Sequence, residues 1–350
     1  MDIENKMKLV SVVIPTYNCA KYISQAIQSV LDQSYGDTEI IVVDDGSTDE
    51  TRDVIQPYMQ GIVYIYQENK GLPGARNRGI AEASGEYIAF LDADDRWHNN
   101  KLEYQTQVLE SFPSVYLVFS DFCVFDEYGY KEESFFRKGF PFFNEFGFTL
   151  NDIFPNTSKL YSGRYSSEFQ IYHGHIAKYL FCGNFVLPSS VLMRKSAISR
   201  VGSFDESYKV AEETDFFLRV CTYYDAAYID CPLVEYLIKR VGNLTGSSNT
   251  ERLIKNAIEI QLNYISTQSS IYQLNKSLFD TAVAKSYTRL AYYYLTMKMN
   301  EAARLEAMRS KSWKPIQIKA YFYWLFSFCP AYLLGAAGNS KRFVKGLFGK

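Results

Sequence analysis

The chain has 350 residues, 47% hydrophobic and 22% charged, which excludes a disordered chain and suits one large α/β domain with an appendage, or two domains. Its net charge of -2 hides an asymmetry: the last acidic residue is Glu306, and from Ala307 to Lys350 there are eight Lys/Arg and no Asp/Glu. An acidic body with a basic tail points to an anionic surface as partner.

The opening MDIENKMKLV is polar, lacks the apolar core of a signal peptide and leads into a strand. Residues 9–15 (LVSVVIP) read as a fully buried strand ended by Pro15. Ile23, Ala26, Ile27, Val30 and Leu31 share one face of a helix. Residues 39–43 repeat the strand, and a polar turn leads to a helix for which Ser47 or Thr48 is the expected cap. A third strand is predicted over 62–67, then a loop and helix closed by Gly85, then a fourth strand over 87–91. A helix near 101–111 and a strand near 115–120 follow. Alternating strands and helices with short connections imply a doubly wound, mostly parallel sheet, whose ligands sit beyond the carboxyl ends of its strands. The polar clusters Thr16-Tyr17-Asn18, Asp44-Asp45 and Asp92/Asp94 all fall at such ends. A GxGxxG fingerprint is missing after the first strand, which argues against an ordinary NAD(P) domain.

Residues 125–185 mix aromatics, Gly and polar residues without a period and read as an insertion at the ligand-side rim. Order returns with a strand near 190–194 and a helix after Val210. Residues 249–312 have helical spacing and read as a hairpin extension. The six cysteines (Cys19, Cys123, Cys182, Cys221, Cys231, Cys329) include no CxxC pair and fit reduced, buried thiols of a cytosolic protein. His173 and His175 lack metal-site company and read as rim residues.

The fourth strand poses a physical problem. Its apolar run ends in Asp92, Asp94 and Asp95, and carboxylates this close repel each other and are costly to bury. Either a cation or some other job must keep them together.

Taken together, SVVIPTYN, VVDDGSTDET, NKGLPGARNRGI, LDADD, VGSFDES and EETDFFLR resemble, in order and over roughly the first 245 residues, the family 2 glycosyltransferases of the GT-A fold. The resemblance implies a GT-A catalytic domain over 1–248 and inverting, hexosyl-type transfer from a nucleotide-diphosphate sugar, with UDP the expected nucleotide. The acceptor is a hydroxyl of a glycan or lipid-linked carrier in surface-polysaccharide synthesis, and the cofactor is Mn²⁺ or Mg²⁺. Asp94 is then the direct metal ligand, with Asp92 on the ribose or reaching the metal through water, and Asp95 caps a helix or supports its neighbours. Pro15, Thr16 and Tyr17 line the base pocket, Asp44 and Asp45 accept from base or ribose, and Arg76 and Asn77 reach the nucleoside or phosphates. Lys239 and Arg240 lie where relatives carry a basic loop near the diphosphate.

The family commonly carries Glu-Asp at the base position, with Asp as the base; here VAEETDFFLR aligns Glu213 there, with Glu212 before it as the alternative. This departure leaves a catalytically inactive sugar-nucleotide-binding protein as a competing reading. A nucleotidyltransferase is another, although PTYNCAKYI stands where its Gly-rich loop is expected. Residues 313–350 form a basic, aromatic tail. Its uncharged run, 320–338, is interrupted by Pro330 and flanked by basic residues on both sides, which fits lying in a membrane interface better than crossing it. The expected location is cytoplasmic and peripheral at the inner face of the membrane, with no nucleic-acid partner.

Overall fold

A computed structural model describes residues 7–134, 136, 140–162, 167–238 and 249–328. The chain divides into two compact units, Met1–Asn243 and Leu244–Lys350.

The first unit is built on one mixed sheet. Its first half follows from short, largely β-branched apolar runs: β1 (Val10–Thr16) is buried along its whole length, Ser11 included, and β2 (Thr38–Asp44) from Ile40 onward. β1 pairs in parallel with β2 on one side and with β4 (Tyr87–Phe90) on the other, and β2 carries β3 (Val63–Tyr66) at the edge. Between them run α1 (Ile23–Leu31), α2 (Thr51–Ile55) and α3 (Leu72–Glu82). After β5 (Arg96–Trp97) and α4 (Lys101–Ser111) comes the long β6 (Val115–Phe125), with β7 (Lys131–Glu132) folded back on its end. β8 (Asn156–Ser162) and β9 (Ser167–Gly174) form an antiparallel pair. β10 (Leu192–Arg194) precedes α5 (Glu212–Tyr223) and β11 (Asp225–Leu237). The strand order is β3-β2-β1-β4-β10-β6-β11-β9-β8. Because β10 runs antiparallel to both β4 and β6, those two are parallel to each other, and β11 is parallel to β6. The carboxyl ends of β1, β2, β4, β6 and β11 therefore share one edge.

Two glycines set close approaches. A Cβ on Gly79 of α3 would come within 2.3 Å of Val13 Cγ1, so the missing side chain lets α3 lie against β1. Gly85 does not close α3, which ends at Glu82; its Cβ would meet the Leu9 carbonyl oxygen at 2.6 Å, and its N–H donates to Ser11 Oγ. Nor do Ser47 and Thr48 cap α2. Ser47 Oγ accepts from Asn18 N–H and Thr48 N–H donates to Asn18 Oδ1, which ties the turn after β2 to the turn after β1. Asp49 binds the Thr51 N–H instead.

The insertion explains its own composition. Phe136, Phe154 and Phe185 surround Phe119 of β6, with Tyr228 of β11 stacked 4.3 Å from Phe136, so most of these rings are core. His173 and His175 are not at the ligand-side edge. His173 pairs with Ala227 near the start of β11, and His175 lies against the Thr222 carbonyl, beside the opposite edge.

The second unit is helical: α6 (Thr250–Thr267), α7 (Lys276–Thr296), α8 (Asn300–Trp313) and α9 (Ile318–Phe326). Where a two-helix hairpin is expected, the described residues hold α6, α7, α8 and a short helix, Ser269–Leu274, and α9 falls in the stretch expected as a tail. Ile258, Leu290, Tyr294 and Ala303 form one core cluster, and Ala291, Ala307 and Tyr323 a second. No helix among the described residues is long and apolar enough to cross a membrane.

Candidate active site

The three acids after β4 separate into three environments. Leu91 is still in the sheet, its N–H bonded to the Val13 carbonyl. The turn that follows is held by Ser189, which is fully buried: its hydroxyl accepts from the Asp92 N–H and donates to Asp95, and its carbonyl accepts from Trp97 Nε1. Asp95 is buried and also accepts the Leu237 N–H, so it anchors the turn to β11 and caps no helix. Burial, then the charges of Asp94 and Asp92, push its carboxyl well above the usual range. Asp92 and Asp94 stay half-buried at the sheet edge.

Asp92 is matched by a cation that the sequence reading aimed elsewhere. Arg76, on α3, is 1% exposed, and its two terminal nitrogens fork, one to Asp92 at 2.8 Å and the other to Glu212 at 2.6 Å. Phe204 lies under the guanidinium, 5.5 Å away. Arg76 thus joins the acids after β4 to the first turn of α5 rather than standing open toward phosphates; its Nε is buried without a hydrogen-bond partner. Asn77 is likewise occupied: its amide brackets the backbone of Phe204, donating to the carbonyl and accepting the N–H, both at 2.9 Å.

Glu212 and Glu213 open α5 after Ala211, which holds a left-handed φ of 64°. Burial and the neighbouring Glu213 push Glu212 up to about 7, against the pull of Arg76. Glu213 is half-buried and raised by burial, and Asn184 Nδ2 donates to it over a long 3.4 Å.

At the other end of the edge, Pro15 and Thr16 are buried and Tyr17 is 48% exposed. Thr16 lies beside Asp44 in register, and its hydroxyl is buried without a partner. Both oxygens of Asp44 are engaged, by Tyr64 OH and Ser47 N–H. Asp45 accepts from Gln67 and from the N–H groups of Lys70 and Gly71. These two acids shape the turn and the loop that launches α3, and so support Arg76. Lys239 and Arg240 lie outside the described residues. Asn184 escaped the sequence reading, since nothing in its spacing marks it; Ser189 reads from the sequence as structural, and Phe204 lies within VGSFDES without a role of its own there.

Among the described residues, no group of three or more His, Cys, Asp or Glu side chains could hold a metal alone. Asp92 and Asp94 offer carboxylate oxygen only. Such a pair fits Mg²⁺ or Mn²⁺, which take one or two carboxylates and complete their shell with phosphate oxygen and water.

The family model described as "Glycosyl transferase family 2" matches residues 11–170. A putative teichuronic acid biosynthesis glycosyltransferase of Bacillus subtilis (strain 168) is 46% identical over 110 residues, 30% of this chain and 43% of the relative. A UDP-Glc:alpha-D-GlcNAc-diphosphoundecaprenol beta-1,3-glucosyltransferase of Escherichia coli is 39% identical over 120 residues, 34% of this chain and 47% of the relative. The matched stretch spans 15% to 60% of the length of such curated relatives. Among solved structures, a mannosyltransferase from Pyrobaculum calidifontis in complex with GDP-Man and Mn²⁺ is similar with a TM-score of 0.54 and 18% identity, over 99% of this chain and 89% of that one. At that identity the likeness establishes the fold.

Proposed function

We infer, from a chain that belongs to glycosyl transferase family 2 and has the GT-A fold, that it moves a sugar with inversion from a nucleotide-diphosphate donor to an acceptor hydroxyl. The observation that carries the reading is the buried fork of Arg76 between Asp92 and Glu212 at the carboxyl edge of the sheet. It puts donor-side and acceptor-side acids within reach of one substrate. A UDP-hexose and a lipid-linked or glycan acceptor of a surface polysaccharide are the expected substrates. The Escherichia coli relative, named for UDP-Glc and a diphosphoundecaprenol acceptor, and the teichuronic acid relative support both. The cytoplasmic face of a membrane is the expected location, a reading the same relatives support.

Asp94 and Asp92 would hold Mn²⁺ or Mg²⁺, and the positive charge such an ion supplies would favour departure of the diphosphate. Pro15, Thr16 and Tyr17 form the floor and lip of the base pocket, and Thr16 has a hydroxyl to offer. Glu213 is the general base. Glu212 is committed to Arg76, whereas Glu213 is held loosely and faces partly outward. The acceptor oxygen bonds to the anomeric carbon as the bond from that carbon to the phosphate oxygen breaks. The hydroxyl proton passes to Glu213, and the nucleoside diphosphate leaves with the electron pair. Arg76 balances the charge of Glu212 and Asp92, which leaves Glu213 as the acid that takes the proton.

The test is a panel of UDP-, GDP- and dTDP-sugars assayed for Mn²⁺-dependent hydrolysis and transfer. Asp94→Asn is expected to abolish turnover, and Glu213→Gln to lower transfer by roughly 10²–10⁴ while nucleotide binding persists. Full activity of Asp94→Asn, or in excess EDTA, overturns the metal assignment. An inactive Glu212→Gln beside an active Glu213→Gln moves the base by one residue.

A further inference from the structure

α9 is apolar on two faces. Ala320, Tyr323 and Ser327 are buried, Tyr323 in the core cluster with Ala291 of α7 and Ala307 of α8. On the other side, Ile318, Tyr321, Leu325 and Phe328 are exposed by 64%, 42%, 55% and 54%, at spacings of three, four and three residues, which is one continuous stripe. The neighbouring helix extends it. Arg304, Met308 and Lys311 share a face of α8 by spacing. Lys311 Nζ sits 3.9 Å over Tyr321, the Arg304 guanidinium 3.8 Å over Phe328, and Met308 between them is 55% exposed. The exposed apolar row is thus bordered by cations whose stems lie along it.

We propose that this face of the second unit docks on an anionic lipid bilayer, with α9 parallel to the surface. Charge complementarity selects the occupant. After Glu306 the sequence has no acid, while Lys311 and Lys314 precede α9 and Lys319 lies in its first turn. Four exposed apolar residues over three turns reach the acyl boundary while the cations meet headgroup phosphates. A helix with its other face committed to α7 and α8 lies flat rather than crossing, in keeping with its nine residues. The inference deepens the membrane-side part of the reading above and rests on it for the acceptor's location only.

The full chain is mixed with vesicles of phosphatidylcholine alone or with 30 mole per cent phosphatidylglycerol, an amount of about one third, and recovered by flotation. Binding is expected to the anionic vesicles only and to weaken with salt. Ile318→Ser with Leu325→Ser is expected to lower the partition at least about tenfold. Arg304→Gln with Lys311→Gln lowers it and flattens its salt dependence. Circular dichroism and melting temperature, unchanged in both variants, show that the helices persist. Hydrolysis of soluble donor is expected to stay at the wild-type rate in both, so loss of docking and loss of the transferase reading are distinguishable. Equal flotation of wild type and the serine variant overturns the proposal, as does no flotation of the wild type. A wild-type dimer that the serine substitutions split, without vesicle binding, assigns the face to a second copy of the chain and overturns it equally.

Discussion

Lys101 is fully buried in the core of the first unit and takes no part in the proposed chemistry. Its amine donates to Gln105 Oε1 at 2.7 Å and to the Val191 carbonyl at 3.3 Å, and lies 3.9 Å from the Trp97 ring. Burial holds it well below the usual lysine range. Between that lowered value and the unfolded one near 10.4, the unfolded chain binds one proton more, so stability rises with pH. Against Lys101→Met, the wild type is therefore expected to gain about 1.4 kcal/mol per pH unit in that window, read from urea melts at pH 7, 8 and 9; parallel melts count against a neutral amine. Arg76 presents the reverse case, a buried cation that is matched. Arg76→Ala strands Asp92 and Glu212 and is expected to lower stability by about 3–5 kcal/mol. Adding Glu212→Gln should restore part of that loss, and a strictly additive double variant shows no coupling between them. Arg76 also marks the limit of reading residues from sequence. ARN was legible as part of the site, but its partner Glu212 lies 136 positions on, and no local pattern says that the guanidinium faces acids of its own chain. For Asp44 and Asp45 the cluster was legible, while the donors that engage it, from Ser47, Tyr64, Gln67, Lys70 and Gly71, emerge only from folded loops.

At the scale of elements, strands made of unbroken apolar runs were readable to within a residue or two: 9–15 against Val10–Thr16, 39–43 against Thr38–Asp44 and 62–67 against Val63–Tyr66. Burial on both faces leaves the first two runs no other use, whereas Val63–Tyr66 is a part-exposed edge strand. Helix ends were less readable. The polar residues at 47–49 could cap a helix or tie two turns together, and the choice depends on Asn18 of a neighbouring strand end. α3 is where an element touches function most directly, since it carries Arg76 and rests on β1 through Gly79. Gly79→Ala puts a methyl where Val13 stands, at 2.3 Å, and is expected to cost about 1–3 kcal/mol and to depress transfer by displacing Arg76. Val13→Ala in the same chain opens the space, and a double variant no more active than Gly79→Ala argues against this route. The aromatic insertion was the least legible element, because rings that fill a core and rings that stack on sugar look alike in sequence.

For the whole molecule, the strand-helix alternation foretold a mostly parallel sheet but not where its halves meet. That seam is β10, three residues placed between β4 and β6 and antiparallel to both. Three residues carry no usable period, so the sequence could mark only the neighbourhood of 190–194. The seam has a consequence for birth on the ribosome. The stretch that matches the family model ends at residue 170, yet β4 and β6 have no bridge until residues 192–194 emerge, and Arg76 no second carboxylate until Glu212 does. Until then a nascent chain holds two half-sheets with open apolar edges, the kind of intermediate that holdase chaperones shield. A polypeptide released after residue 170 is expected to aggregate when translated without chaperones, whereas release after residue 243 yields a soluble product, separable by centrifugation of translation reactions. Equal solubility of the two products would mean that the halves close without their seam. Synthesis thus delivers Arg76 and its first carboxylate, Asp92, early and its second late, so the buried cation is fully matched only once Glu212 has been made.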